Sequence, residues 1–313
     1  MSIEQPKVSV LIPAYNAEGF IRRTLESVIH QTCRDFEVLV LDDGSNDATG
    51  NIVKAIANSD PRISYYFQAN RGLSNTRNRL VELARGEYVA FLDHDDEWMA
   101  QKLSLEVDFF EKNPHLGMVY SDAYIKMGNK IIGRCFKERR PVAGNVFYSL
   151  LFENFVPLNT VVMPKRVLLE FMPFNPDYEF SEEFDVFLRV SRRYSFAYLN
   201  EALAVYHRHG RNLSDSKLNK FIWEEFSILN YWLKQDPLIE KQYRGRLKKR
   251  QASLYAQKAR YLLKNSQFHN ARNEIFASFK LRPFNLAALK LLMRLFLNQH
   301  FFLRSHGQNS LCA

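Results

Sequence analysis

The chain has 313 residues, enough for one large or two modest domains, and its 46% hydrophobic and 25% charged residues exclude broad disorder. Its three cysteines are scattered and form no CxxC pair, which argues against a zinc site or a disulfide framework and favours a reducing cytoplasm. The net charge of +9 is uneven: residues 215–313 contain 18 Lys and Arg against 6 Asp and Glu, a balance of +12 that leaves −3 for residues 1–214. The sequence shows no secretory signal and no apolar stretch of the roughly 18 residues that a membrane-spanning helix needs.

Predicted strands and helices alternate along the first part of the sequence, up to an amphipathic helix marked by Leu103, Val107 and Phe110. Strands are indicated at 7–13, 36–45, 63–67 and 87–92, the second of them ending abruptly in Asp42, Asp43 and Gly44, and a predicted helix follows each of them. The first helix, for example, carries Ile21, Leu25 and Val28 on one face. This alternation with short connections predicts an α/β fold, a mostly parallel sheet flanked by helices.

The pattern changes further along the chain. Residues 117–214 are mixed, with strands expected in GMVYSDAYI, NTVVMP and FAYLN and a helix over 181–193. Beyond Leu218 the pattern is helical to the end, with breaks at Pro237 and Pro283. Neither GxGxxG nor GxxxxGK[ST] occurs, so a dinucleotide-binding fingerprint and a P-loop both lack support.

Polar clusters follow three of the predicted strands, at Pro13–Asn16, Asp42–Asp43 and Asp93–Asp96. The carboxyl ends of parallel strands line one crevice, so these clusters are expected to meet there. Arg77, on the helix before the fourth strand, adds a planar cation suited to phosphate oxygens. Carboxylates beside a phosphate repel it unless a divalent cation lies between them, and Mg²⁺ and Mn²⁺ prefer such oxygen ligands.

Four segments together resemble the family 2 glycosyltransferases, which have the GT-A fold: VSVLIPAYNAEGFIRRTLESVIHQT, FEVLVLDDGSNDAT, NRGLSNTRNRLVELARGEYVAFLDHDDEW and SEEFDVFLRV. The resemblance covers residues 6–214 and implies a Rossmann-like, mostly parallel central sheet flanked by helices. It implies a catalytic domain at 1–214, followed by a helical, basic region at 215–313. The implied reaction is inverting transfer of a single sugar from a nucleotide-diphosphate sugar, most simply a UDP-sugar, to a hydroxyl of a glycan or lipid-linked acceptor in bacterial surface polysaccharide assembly.

The resemblance also assigns the donor site. Pro13 and Tyr15 would line the nucleoside, and Asp43 would accept a hydrogen bond from uracil N3–H, a group that thymine shares. Arg77 would lie near the donor phosphates, although it could instead pair with Glu82 or another carboxylate. Asp43 could instead be a turn residue, and Asp42 is interpreted as one.

The DHD sequence at 93–95 matches the DxD motif of the family. Asp95 would ligate Mn²⁺ or Mg²⁺ directly, with Asp93 also at the metal, nearer the ribose or a metal-bound water. The metal would stabilise the departing diphosphate. Asp96 and Glu97 are expected to be a charge pair at a helix N-terminus, where the helix dipole favours acids.

The catalytic base is a departure from the family pattern, which carries Glu-Asp where this chain has Glu182 and Glu183. Glu183 takes the position of the usual aspartate and is the expected base. Asp185 is two residues on, and positions i and i+2 do not share a helix face. His209, in VYHRHGRNLS, would reach the diphosphate or the metal, the alternative being an ordinary surface histidine.

The C-terminal segment 283–305 is rich in Phe and Leu and carries Lys290, Arg294 and Arg304. It predicts either an interfacial helix on an anionic membrane, on the inner face of the plasma membrane, or ordinary packing with the charges facing water. Two other functional classes stay open. A noncatalytic nucleotide-sugar-binding or assembly protein could have kept the fold, and the basic tail could bind nucleic acid. No nucleic-acid partner is expected, however, because the sequence has no recognised module for one.

Overall fold

A computed structural model of the protein describes residues 5–136, 140–209 and 218–295. The chain divides into two units, Met1–Asn212 and Leu213–Ala313. The first unit carries the predicted sheet, and the described part of the second consists of helices and the short connections between them.

The described part of the first unit contains nine strands: β1 (Val8–Ala14), β2 (Phe36–Asp42), β3 (Ile63–Phe67), β4 (Tyr88–Phe91), β5 (Glu97–Trp98), β6 (Met118–Met127), β7 (Lys130–Arg134), β8 (Val162–Pro164) and β9 (Phe196–Arg208). Its α-helices are α1 (Ile21–Ile29), α2 (Thr49–Ala57), α3 (Leu73–Leu83), α4 (Lys102–Lys112), α5 (Phe147–Phe152), α6 (Lys165–Glu170) and α7 (Glu182–Ser191). A 3₁₀ turn covers Leu158–Thr160.

The strands form one mixed sheet in the order β3-β2-β1-β4-β8-β6-β9-β5, with β7 paired to β6. Strands β1 to β4 are parallel to one another, and β6 is parallel to β9. The shorter β5, β7 and β8 pair antiparallel with their neighbours. The expected α/β architecture, a mostly parallel sheet flanked by helices, is therefore confirmed.

The core lies between the central strands and the helices that cover them. Every residue of β1 and β2 is buried, as their β-branched runs indicate for strands covered on both faces. Helix α1 buries Ile21, Leu25 and Val28, the face that its periodicity predicts. Because β2 and β4 flank β1 in parallel, with Ala14 opposite Asp42 and Leu11 opposite Phe91, the polar clusters after these strands lie at one edge of the sheet.

The second unit begins, in its described part, with α8 (Leu218–Gln235), α9 (Leu238–Lys264) and α10 (Phe268–Leu281), and continues with a helix at 286–295, α11. The predicted breaks at Pro237 and Pro283 fall between helices. Small and branched residues of α9, including Ala256 and Ala259, pack with Ile275 of α10 and Leu291 of α11. None of the helices described here combines the length and apolarity needed to cross a lipid bilayer.

Candidate active site

Asp42, at the end of β2, stabilises the turn that follows it. Its Oδ1 accepts the backbone N–H of Ser45 at 2.8 Å, and its Oδ2 accepts the hydroxyl of Tyr65 at 2.9 Å. Asp42 is buried, and both oxygens are engaged within the fold. The interpretation of Asp42 as a turn residue is confirmed.

Asp43 is held differently, by donors from the segment between β3 and α3. Its Oδ1 accepts Gln68 Nε2 at 2.8 Å and the backbone N–H of Arg71 at 2.9 Å. Its Oδ2 accepts the N–H of Gly72 at 2.9 Å, where a φ of 84° turns the backbone in a way that favours glycine. A carboxylate offers about four acceptor positions. Asp43 therefore retains capacity on Oδ2 for one further donor.

The loop after β1 lies against the same edge of the sheet. The carbonyl oxygen of Pro13 lies 3.1 Å from Nδ1 of His94, which ties this loop to the segment after β4. Tyr15 is exposed. Asn16 adopts a left-handed φ of 48°, and its side chain accepts the backbone N–H of Asn46 at 2.9 Å. Pro13 and Tyr15 thus stand beside the loop that carries Asp43.

Arg77 connects two acidic segments that are far apart in the sequence. One of its terminal nitrogens lies 2.9 Å from Asp93 Oδ1, and the other pairs with Glu182 at the start of α7. The latter nitrogen is also 3.9 Å from Glu183 Oε2. Only 3% of the Arg77 side chain is exposed, and none of Glu182. The guanidinium is therefore a buried link between the end of β4 and α7.

Pairing of Arg77 with Glu82 is excluded as its role. Glu82 instead pairs with Arg79 at 2.8 Å on the exposed side of α3. The expectation that Arg77 is near donor phosphates stays a prediction, since its ion-pair partners here are carboxylates of the protein itself.

The DxD segment follows β4. Oδ2 of Asp95 lies 2.9 Å from Nε2 of His209, the residue that directly follows β9. The His209 ring stacks on Phe20, with centroids 4.5 Å apart and planes 13° apart. Arg23 of α1 donates to the carbonyl oxygen of Asp95 at 2.9 Å. Asp93 is the partner of Arg77, so both acids of the motif are oriented by groups from other elements.

Asp96 corrects one expectation, because its carboxylate does not serve a helix N-terminus. Its Oδ1 accepts the backbone N–H of His207 at 2.9 Å, and its Oδ2 accepts Asn159 Nδ2 at 2.7 Å. The side chain is buried. Burial, with the charges of Asp95 and Asp93, raises the pKa of Asp96 well above its usual range. Asp96 joins the motif to β9.

Glu97 also lies outside a helix. It is the first residue of β5, and α4 begins only at Lys102. The Glu97 carboxylate lies 2.9 Å from Arg23 Nε and 2.5 Å from His207 Nε2. Burial lowers the pKa of His207, Arg23 acts in the same direction, and Glu97 opposes them. The predicted charge pair at a helix start is wrong, since both acids bind groups contributed by β9 and other elements.

At the start of α7, neighbouring acids have different surroundings. Glu182 is fully buried, whereas 17% of the Glu183 side chain is exposed. Asp185 pairs with Arg189 one turn later, at 2.9 Å, and Arg189 also donates to the carbonyl oxygen of Pro173. Burial raises the pKa of Asp185, and Arg189 opposes that shift. Asp185 is engaged within its helix, whereas the partly exposed Glu183 lies near Arg77, next to the buried Glu182.

The chemistry of Asp95, Asp93 and His209 fits a divalent cation. Within residues 5–136, 140–209 and 218–295, no three His, Cys, Asp or Glu side chains are gathered into a ready ligand cluster. Mg²⁺ and Mn²⁺ sites on substrate phosphates need only one or two protein carboxylates, and imidazole is an acceptable further ligand for Mn²⁺. The residues present therefore suit a metal shared with a phosphate ligand.

Sequence reasoning did not single out several residues of this edge, namely Arg23, Gln68, Asn159 and His207. Gln68 follows a strand end, as Asp43 does, and could have been found by that signal. The other three act through contacts with residues 61 to 111 positions away, which no local pattern reveals.

Comparison with known proteins gives the family. The model of Glycosyl transferase family 2 matches residues 9–158. An uncharacterized glycosyltransferase of Haemophilus influenzae is 33% identical over 218 residues, which cover 67% of this chain and 68% of the relative. The UDP-Glc:alpha-D-GlcNAc-diphosphoundecaprenol beta-1,3-glucosyltransferase WfgD of Escherichia coli is 30% identical over 195 residues, which cover 62% of this chain and 73% of the relative.

Two solved structures share the fold. TarS 1-349 of S. aureus in complex with UDP superposes with a TM-score of 0.55 at 19% identity, covering 87% of this chain and 89% of that one. The mannosyltransferase PcManGT from Pyrobaculum calidifontis, in complex with GDP-Man and Mn²⁺, gives a TM-score of 0.61 at 18% identity, covering 93% of this chain and 80% of that one. The chain belongs to the family 2 glycosyltransferases and has the GT-A fold.

Proposed function

We propose that the protein is an inverting, metal-dependent glycosyltransferase that moves a single sugar from a UDP-sugar to a hydroxyl of a glycan or lipid-linked acceptor in bacterial surface polysaccharide assembly. The observation that carries this proposal is the link through Arg77, which contacts both Asp93 of the DxD motif and Glu182 beside Glu183. This link would hold the leaving-group site and the base next to each other. WfgD, whose name states a UDP-Glc donor and a diphosphoundecaprenol-linked acceptor, supports the substrate class.

The nucleoside part of the proposal rests on Asp43. Three protein donors fix its carboxylate and leave acceptor capacity on Oδ2. An imide N3–H, present in uracil and thymine, is a donor that such an oxygen can accept. Pro13 and the exposed Tyr15 would form the wall against which the base lies. TarS binds UDP, which supports a uridine donor, although PcManGT was solved with GDP-Man.

The diphosphate part rests on Asp95, Asp93 and His209, which would hold Mn²⁺ or Mg²⁺. When bound, such a cation supplies Lewis-acid stabilisation of the charge that develops on the departing diphosphate. The residues themselves are oriented by the protein. Arg77 holds Asp93 through a charge-assisted bond, and stacking on Phe20 fixes the plane of His209. Asp93 would be nearer the ribose or a metal-bound water.

Glu183 would remove the proton of the acceptor hydroxyl as it attacks. Attack from the face opposite the diphosphate inverts the anomeric carbon and needs only this one base. The N-terminal position of Glu183 in α7 and the guanidinium of Arg77 at 3.9 Å both place positive charge beside its carboxylate. The side chain of Asp185 is instead committed to Arg189.

The same proposal assigns catalysis to residues 1–214 and a separate role to the basic region 215–313. It places the reaction in the cytoplasm, where scattered thiols such as Cys33 and Cys135 remain reduced, and at the inner face of the plasma membrane. It includes no nucleic-acid partner.

Calorimetry of UDP binding with Mn²⁺ or with a chelator tests the metal site. Asp95→Asn should weaken UDP binding about 10–100-fold in Mn²⁺, the worth of a lost charge-assisted contact, and hardly change it in chelator. Asp108→Asn, which alters an exposed acid of α4, is the matched control. Asp43→Asn should weaken UDP binding under both conditions. Unchanged UDP affinity of Asp95→Asn in Mn²⁺ would remove the metal assignment, and a wild-type preference for GDP over UDP and dTDP would remove the role of Asp43.

A further inference from the structure

Helix α11 is apolar on two opposite faces. Its inner face, which includes Ala288, Leu291 and Leu295, packs into the core of the second unit. On the outer face, Leu286 is 71% exposed, Leu289 45% and Met293 52%, and these positions follow the i, i+3, i+7 spacing of one helix face. An apolar helix face is ordinarily covered, so the outer face calls for a partner as the inner face does.

Phe284 lies in the turn two residues before the helix begins. It is the most exposed of the large hydrophobic side chains described, at 92%. Phe284, Leu286, Leu289 and Met293 together are named the apolar patch. Large exposed apolar groups that cluster in this way mark an interaction surface, whereas single ones need no explanation.

In the sequence, basic residues lie among and next to the residues of the apolar patch, and acids do not. Four exposed basic residues flank it: Lys280, Arg282, Lys290 and Arg294. None of the four forms an ion pair within the described residues. The last acidic residue of the chain is Glu274, which pairs with Lys258 at 2.7 Å, and residues 275–313 contain no Asp or Glu. The patch is therefore bordered by uncompensated positive charge.

This charge distinguishes between the partners that could cover the patch. A second copy of the chain, docked face to face about a two-fold axis, would bring the same four cations against themselves. An anionic bilayer offers acyl chains to the apolar groups and phosphate headgroups to the cations. Lys and Arg at the edge of such a face keep their charged ends at headgroup level while their stems lie along the apolar surface.

We infer that the apolar patch and its four flanking cations are the surface by which this protein lies on an anionic membrane. The patch enters the interface between headgroups and acyl chains, and α11 lies in the membrane plane. The cations act by attraction to negatively charged lipid, which falls off within a Debye length. This docking does not depend on the transfer reaction, and the two can fail separately.

Sedimentation of the full chain with lipid vesicles tests the inference. Vesicles of phosphatidylcholine alone are compared with vesicles that also contain phosphatidylglycerol, at low and at high salt. The wild type should sediment with the anionic vesicles at low salt and much less at high salt or without phosphatidylglycerol. Changing all four patch residues to Ser, or all four flanking cations to Gln, should lower the partition coefficient on the order of 10²-fold.

A matched control removes exposed apolar groups from the first unit. Phe67→Ser, Met127→Ser, Ile131→Ser and Ile132→Ser change side chains that are similarly exposed and should leave sedimentation unchanged. UDP affinity, measured on every variant, reports whether the donor site remains folded. It also separates the failure of docking from the failure of the proposed function.

Three outcomes would overturn the inference. The wild type could stay in solution with anionic vesicles at low salt, or the patch variant could sediment as well as the wild type. Alternatively, light scattering could show a wild-type dimer that the patch variant lacks, which would make a second copy the partner. Deletion of residues 296–313 could also abolish sedimentation while the patch variant sediments normally. That result is a case of the second outcome, and it would assign membrane binding to residues 296–313.

Discussion

The end of β4 and the start of α7 each present two neighbouring acids, of which the fold buries one. After β4, Asp96 is buried and Asp95 stands beside His209. At α7, Glu182 is buried and Glu183 is partly exposed. In both places the buried acid organises the backbone or a cation, and its neighbour is the one that we propose faces a ligand.

The two buried acids differ in what compensates them. Asp96 accepts hydrogen bonds from neutral groups, the N–H of His207 and the amide of Asn159. Glu182 faces the guanidinium of Arg77. A buried carboxylate with neutral partners can be replaced by a neutral amide at little cost, whereas removal of a buried ion-pair partner leaves an uncompensated charge. Similar positions thus predict unequal consequences of substitution.

The largest effect is expected at the exposed member of the α7 pair. Glu183→Gln keeps the size of the side chain and removes its basicity, so transfer should fall by about 10²–10⁴-fold, the worth of a positioned base. UDP affinity should stay unchanged. Transfer is measured as UDP released from a UDP-sugar with lipid-linked glycans as acceptor.

Asp185→Asn is the control for Glu183→Gln, because Asp185 is paired with Arg189 within the same helix. It should retain most of the transfer activity. Loss of turnover in Asp185→Asn, with Glu183→Gln active, would move the base to Asp185 and end the comparison between the two acid pairs.

The next effect concerns stability and the buried member of the α7 pair. Glu182→Gln leaves the Arg77 guanidinium buried without one of its counter-charges, so the free energy of unfolding should fall by roughly 3–5 kcal/mol. Denaturant unfolding followed by circular dichroism measures it. Glu82→Gln breaks the exposed pair with Arg79 on α3 and should cost about 0–1 kcal/mol. If both variants lost the same free energy of unfolding, burial of the ion pair would not determine how much stability its removal costs.

The smallest effect is expected at Asp96. In Asp96→Asn, the Asn159 amide can rotate to present its oxygen, so the free energy of unfolding should change by about 1 kcal/mol or less. The fold raises the pKa of Asp96. Above the usual aspartate pKa, this carboxyl therefore binds more protons in the native state than in the unfolded state. As a result, its contribution to the free energy of unfolding falls as pH rises. The free energy of unfolding of Asp96→Asn minus that of the wild type should therefore be larger at pH 7 than at pH 5. A loss as large as that of Glu182→Gln would contradict the comparison.

Sequence reasoning predicted the parts of this molecule that depend on local patterns. The four parallel strands, the acids at their ends and the acidic start of α7 follow from periodicity and from motif order. The partners of Asp96 could not be predicted, because Asn159 and His207 are 63 and 111 residues away. A run of acids before a helix looks like a helix N-terminus in the local sequence. The pairing of β5 with β9 instead brings Asp96 and Glu97 to groups of β9.

Arg77 illustrates the same limit. Its position before β4 indicated a cation near the crevice, but Glu182 is 105 residues away in the sequence. The nearer acid, Glu82, was the local alternative and pairs with Arg79 instead. Burial of a guanidinium between two carboxylates is a tertiary property, and local charge spacing does not encode it.

The pairing of β5 with β9 also sets the order in which the site can be completed during synthesis. Asp95 and its partner His209 are 114 residues apart, so translation at about 5–20 residues per second separates their emergence from the ribosome by roughly 6–23 s. During that interval β1 to β4 can assemble, but the acids after β4 lack the backbone N–H of His207 and the imidazole of His209. A nascent chain that stops at residue 158, the end of the family match, would contain the whole DxD motif without the strand that orients it.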